Sequence, residues 1–196
     1  MRPDVQRLIA SCLSGVLRSD ESFNPIRFVI DPRTGCPAAP LPSEAFDASS
    51  WSLYLPDDSP LSVQLTVTLQ EVDPLNHDAA DRWMAYFGRP KTPRFAVLPI
   101  DFCKVRDEAL DGDEVRLVHP FRSRESALLR ELAGSSEQLA RACTALTGLQ
   151  HPEAKAVGID PYGVDVRVGL GVIRLEFKGD AQTEDVARVH LRDLLA

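Results

Sequence analysis

Four histidines, His77, His119, His151 and His190, are the side chains best suited to proton transfer or metal ligation near neutral pH. No two of them stand at a spacing that one helix turn or one strand would use to share a metal. His77 begins an expected helix, where its expected role is capping or solvation. His119 before Pro120 and His151 before Pro152 read as turn and loop residues. His190 falls beside the apolar face of the last expected helix, a candidate heme ligand weighed against a partly buried structural role. Arg27, Arg33 and Arg94 are candidate phosphate contacts, each weighed against an ordinary surface charge. Asp57-Asp58 and the group Asp111, Asp113 and Glu114 read as solvated turns, with no third metal ligand implied. A Gly-rich phosphate loop, a nucleophile elbow and a His-Glu-x-x-His helix are all missing from the sequence. The aromatic tract Trp83-Met84-Ala85-Tyr86-Phe87 has helical spacing, which suits core packing better than stacking on a cofactor. The residues therefore name no catalytic group and no metal ligand set; Arg27 and His190 are the cofactor-binding candidates to test.

Composition narrows the partners. The chain has 196 residues, 22 basic and 29 acidic side chains and a net charge of −7. A nucleic-acid groove needs clustered Lys and Arg to displace counterions, so no nucleic-acid partner is expected. Leu8 to Leu17 is too short and too interrupted for a signal peptide, and no small-residue cleavage site follows it. The longest charge-free run, Ser59 to Gln70, alternates polar and apolar residues and suits no bilayer span. Cys12, Cys36, Cys103 and Cys143 never approach Cys-x-x-Cys spacing, so reduced thiols in a cytoplasmic protein, away from membranes, are expected.

The elements that must position these groups change character along the chain. Val5, Leu8, Ile9, Cys12, Leu13, Val16 and Leu17 follow a helical stripe, with Asp4 as the expected cap. Period two then takes over in Ile26-Phe28-Ile30, Trp51-Leu53-Leu55 and Leu61 to Gln70, which predicts antiparallel strands with one wet face. Asp31, Asp73 and Asp160 each precede a proline and predict turns held by the carboxylate. A helix capped by Asn76 or Asp78, with Ala80, Trp83, Met84 and Phe87 on its apolar face, is expected to end at Gly88. Phe95–Phe102 and Glu114–Val118 read as strands, and Ser123–Ala133 as a helix stopped by Gly134. Ser135-Ser136-Glu137-Gln138 has capping-box spacing for a further helix ending at Gly148. Val164, Val166 and Val168 lead through Gly169-Leu170, a pair suited to a type II′ turn, into Ile173, Leu175 and Phe177. That two-residue loop places Asp165 opposite Arg174. Thr183 caps a final helix. The tail is thus read as helix, hairpin, helix.

This order of elements resembles the flavin-binding split barrels of the pyridoxamine-phosphate-oxidase type, especially the heme-utilisation branch, in which a small α/β domain often follows the barrel. Ala156-Val157-Gly158-Ile159-Asp160-Pro161-Tyr162-Gly163-Val164-Asp165-Val166-Arg167 looks like the family's tail-domain strand and Asp-x-x-Gly turn. Arg27-Phe28-Val29-Ile30-Asp31-Pro32-Arg33-Thr34-Gly35-Cys36-Pro37 is similar to the opening hairpin of such barrels. The resemblance implies an α+β fold: an antiparallel split β-barrel, six-stranded or similar, with an N-terminal helix and flanking helices over residues 1–133, then a small helix-hairpin-helix α/β domain over 134–196. It also implies a homodimer, with FMN or heme where two chains meet.

The chain departs from the family where cofactor would bind. Ser43-Glu44-Ala45-Phe46-Asp47-Ala48-Ser49-Ser50 stands where such barrels carry a His-Thr-x-Asn-like stretch, and Gln138–Cys143 where the tail domain often has two histidines. A flavin phosphate needs Arg, Lys or oriented N–H donors, and this chain has only Lys91, Lys104, Lys155 and Lys178 besides its arginines. Two functions follow as expectations for a divergent member. One is a non-catalytic dimeric binding or interaction module that has lost its cofactor site. The other is a flavin- or heme-binding oxidoreductase completed at the dimer interface.

Overall fold

The computed structural model describes residues 2–20, 22–48, 50–55, 63–169 and 171–196. The expected strand start at Leu61, the pair Asp57-Asp58, Ser49 and the Leu170 half of the hairpin loop lie outside them. The chain divides into two units, residues 1–118 and 119–196. Its strands form antiparallel sheets and its helices flank them, an α+β organisation without a closed barrel among the described residues.

The first unit runs α1 (Arg2–Ser11), β1 (Ser14–Arg18), β2 (Phe23–Arg27), β3 (Val29–Ile30), β4 (Pro37–Leu41), a 3-10 turn at Ser43–Phe46, β5 (Trp51–Leu55), β6 (Val63–Val67) and β7 (Gln70–Val72). It continues with α2 (Asp78–Phe87), β8 (Arg94–Val97), β9 (Ile100–Val105), β10 (Glu108–Asp111) and α3 (Gly112–Val115). One sheet has the order β10-β9-β6-β5-β1-β2 and the other β3-β4-β8-β7. Four passes of the chain join the two sheets: β2 to β3 through Phe28, β4 to β5 through the 3-10 turn, β6 to β7, and β8 to β9 through Leu98-Pro99. Proline breaks the ladder at the last of these, so the expected continuous strand Phe95–Phe102 is two strands in two sheets. Alternation sets the inward row. Leu17, Leu53, Leu65 and Cys103 are register neighbours on successive strands and are completely buried.

Five local expectations differ in the structure. The N-terminal helix stops at Ser11, and Val16 and Leu17 belong to β1. Gly15 tolerates no side chain there, because a Cβ would lie 2.5 Å from the Tyr54 carbonyl oxygen. Glycine is a poor helix former, and the β5 partner strand claims the segment. Asp4 sits within the first turn of α1, and the cap of α2 is His77, whose Nδ1 accepts from the Ala79 N–H at 3.3 Å. Met84 is exposed, and Tyr86 takes its expected place on the buried face. The expected strand Glu114–Val118 begins as α3. Asp111 accepts from the Asp113 N–H at 2.9 Å and Glu114 accepts from the Asp111 N–H at 3.2 Å, a reciprocal capping box.

The second unit has a 3-10 turn at Arg122–Arg124, then α4 (Glu125–Ala133), α5 (Ser136–Thr147), β11 (Lys155–Asp160), β12 (Gly163–Val168), β13 (Gly171–Glu176) and α6 (Glu184–Leu195). The hairpin is part of a three-stranded sheet, β11-β12-β13, with Val164, Val166, Leu175 and Phe177 in the core. Leu128 and Leu132 of α4 belong to that core, so the unit begins before the expected boundary between residues 133 and 134. Ser135 stands at the start of α5 without making the expected side-chain cap, whereas Thr183 Oγ1 accepts from the Val186 N–H at 3.3 Å and caps α6. Val168 pairs with Gly171, and Asp165 stands opposite Arg174 as the loop length requires. No helix among the described residues is long and apolar enough to cross a membrane.

Candidate functional site

The three arginines expected as phosphate contacts, Arg27, Arg33 and Arg94, are each engaged locally. Arg27 ends β2 with its side chain exposed, and its guanidinium lies over the Phe87 ring of α2 at 5.6 Å. Its carbonyl accepts from Trp83 Nε1 at 3.0 Å, which ties β2 to α2 by the aromatic tract. Arg33 is exposed and 3.6 Å from Asp78. Arg94 at the start of β8 makes a bidentate pair with Glu71 of β7, both bonds 2.7 Å, and lies 3.7 Å over the Phe46 ring. Glu71 and Arg94 hold each other charged: the hydrogen bond lowers the pKa of the acid and raises that of the base. Phe46 belongs to the stretch where the resemblance placed a cofactor-binding motif, so the cation above it already has a carboxylate.

His190 lies half-buried on α6, stacked on Phe177 with ring centroids 5.1 Å apart and planes at 20°. Arg27 and His190 therefore belong to different units. His77 caps a helix and His151 Nε2 meets Thr147 Oγ1 at 2.8 Å, both local roles.

His119 is the turn residue expected, its carbonyl accepting from the Arg122 N–H at 3.2 Å, but the sequence did not show where its ring goes. Its side chain is buried edge-on to Phe121, and Nε2 lies 3.5 Å from Glu125 Oε2. Neither ring nitrogen makes a hydrogen bond among the described residues. The distance admits a Coulombic contact but is too long for a hydrogen bond. Glu125, also buried, accepts from the Ile159 N–H at 3.1 Å and so pins α4 to β11. The imidazole and carboxylate are six positions apart across a 3-10 turn, a spacing with no periodic signature in the sequence.

The strongest charged cluster was only half legible. Arg174 meets Asp165 at 3.1 Å, the cross-strand pair expected from the hairpin. It also makes a bidentate pair with Asp160 at 2.6 and 2.8 Å, which the sequence did not foretell. Burial opposes the guanidinium charge, but the two carboxylates more than offset it and raise its pKa above the ordinary arginine range. Asp160 also accepts from the Tyr162 N–H, the Asx turn expected of an Asp-Pro pair. With its hydrogen bonds spent inside the unit, this cluster is a fastener.

The thiols are unsuited to nucleophilic work. Burial pushes the Cys103 thiol up to about 11 and raises Cys12, Cys36 and Cys143 as well. Among the described residues, no three His, Cys, Asp or Glu side chains converge as metal ligands.

Comparison with known proteins bears on the fold. A solved structure of a protein of unknown function from Agrobacterium tumefaciens is similar over 98% of this chain and 94% of its own, with a TM-score of 0.73 at 17% identity. A heme-binding protein from Mycobacterium smegmatis aligns over 99% of this chain and 95% of its own, at 17% identity and a TM-score of 0.43. No known family profile matches the chain, and neither does any curated protein. The Agrobacterium likeness, at its low identity, establishes a shared fold and nothing about activity.

Proposed function

We propose that this chain is a cytoplasmic split-barrel protein that pairs with a second copy and acts as a non-catalytic binding or interaction module, its flavin or heme site lost. One observation carries this reading: the side chains a cofactor would recruit are already stacked on rings of their own unit. Arg27 covers Phe87, Arg94 covers Phe46 while bound to Glu71, and His190 covers Phe177. Freeing any of them for a phosphate or an iron would cost that packing. Pairing is supported by the outward face of the six-stranded sheet. There Phe23, Arg18, Ser52, Thr66 and Phe102 are register neighbours on successive strands. Phe23 is 58% and Phe102 60% exposed, and strand spacing puts them about 19 Å apart. Exposed aromatic side chains of this kind are enriched at protein interfaces and give a partner two anchors on one face.

The same face favours one alternative. Arg18 lies over both Phe23 and Tyr54, a cation among aromatic rings that an isoalloxazine could share if a second chain closed it. Absorbance after adding FMN and then hemin, followed by gel filtration, separates the two. Protein absorption alone supports the binding module; a retained flavin or Soret band supports the oxidoreductase. Sedimentation at micromolar concentration should give a dimer that Phe102→Glu dissociates, and a monomeric parent protein would end the pairing proposal.

A further inference from the structure

A second feature of the first unit lies at the end of α2, between that helix and the β7–β8 edge. It is a pocket of about 420 Å³, within the range of roughly 300–1,000 Å³ used by small-molecule sites. Its apolar part includes Phe95, which is buried, and Leu75 and Met84, which are 89% and 38% exposed. Leucine and methionine so uncovered beside a buried ring form a surface that water solvates poorly. Methionine adds a flexible, polarizable wall that adapts to ligand shape.

The charge of the lining is the opposite of the chain's. Arg89, Lys91 and Arg94 line the pocket and no carboxylate does, in a protein of net charge −7. Arg94 is neutralised by its bidentate pair with Glu71. Arg89 and Lys91 are exposed on the segment between α2 and β8 and have no acidic partner among the described residues. Two uncompensated cations beside an apolar wall match a molecule with one anionic end and one hydrocarbon or aryl end.

We propose that this pocket binds an amphipathic carboxylate, its chain against Leu75, Met84 and Phe95 and its head group between Arg89 and Lys91. The inference rests on the binding-module reading by giving that module a ligand class, yet it fails separately. Retained FMN or heme ends that reading, whereas the pocket is judged by the titration below.

The test is calorimetric titration of the full chain with decanoate below its micelle concentration, with decanol as the uncharged comparison. Saturable one-to-one decanoate binding is expected, roughly five- to tenfold tighter than decanol and weakened by high salt. Arg89→Ala with Lys91→Ala should weaken decanoate about five- to tenfold and leave decanol unchanged, while Lys155→Ala in the second unit changes neither. Leu75→Asp, at a position too exposed to disturb folding, should weaken both ligands. Equal affinity for decanoate and decanol overturns the proposal, and so does a double variant that binds like the parent. Absence of saturable binding overturns it too; the face would then serve a macromolecule or nothing.

Discussion

Replacing Arg174 by alanine probes the fastener of the second unit. The guanidinium is 9% exposed, and Asp165 and Asp160 beside it are 5% and 20% exposed. Removing the cation leaves two carboxylates on adjacent strands, one of them fully enclosed and without its counterion. Deleting one member of a buried pair typically costs about 3–5 kcal/mol, because the stranded charge keeps its desolvation penalty. Asp160→Asn should cost only about 1–2 kcal/mol, since it keeps the shape, the turn acceptor and the Arg174–Asp165 contact. Cys143 provides the readout. It is completely buried and is the second unit's one cysteine, so its labelling by a thiol reagent reports opening of that unit. When closing is fast relative to labelling, a loss of 3–5 kcal/mol speeds modification by roughly 150- to 5,000-fold. Acceleration of less than about tenfold in Arg174→Ala would refute the argument that this pair is a buried lock. So would an Asp160→Asn effect as large as that of Arg174→Ala.

Other expectations follow from the same geometry. Gly15→Ala must push β1 away from the Tyr54 carbonyl and should destabilise the first unit by about 1–3 kcal/mol, measured by denaturant unfolding followed through Trp51 and Trp83. Thr183→Ala should lower second-unit stability by about 1 kcal/mol through loss of the α6 cap, read by the same Cys143 labelling; no change would deny the cap its role. In native protein at pH 8, half-buried Cys12 should react with iodoacetamide first, and Cys103 should stay unmodified because burial holds its pKa near 11. Glu184 should titrate below the ordinary glutamate value of 4.5, chiefly through its hydrogen bond from Arg124, with Arg188 adding to it. A depressed folded pKa contributes stability above the unfolded value, and that contribution is lost as pH falls through the folded one. An NMR midpoint at or above 4.5 would show the Arg124 contact to be absent in solution.

The legible parts of this protein are those whose causes lie within a few residues. The Asp31, Asp73 and Asp160 turns each form around their own carboxylate, because the side-chain oxygen reaches an N–H two positions on. Alternation in Trp51–Leu55 and Val63–Val67 survives as an inward row because a strand has only two faces. A two-residue loop fixes hairpin register, so the Asp165–Arg174 contact could be read from spacing alone. The capping box at Asp111 and Glu114 was also present as a local pattern, although it reads equally well as an acidic turn.

Tertiary structure decided what depends on distant partners. Ser14–Arg18 could continue a helix or join a sheet, and its pairing with β5, thirty-odd residues away, settled the matter. Pro99 marks where the chain passes between sheets, a choice made by β4 and β6 on either side. Arg27 and His190, the candidates for cofactor work, each meet an aromatic ring brought in by folding, a contact that no local pattern announces. The His119–Glu125 contact and the second carboxylate on Arg174 likewise form across turns whose angles no periodicity encodes. Local patterns specify dihedrals and faces; which faces meet depends on the packing free energy of the whole unit.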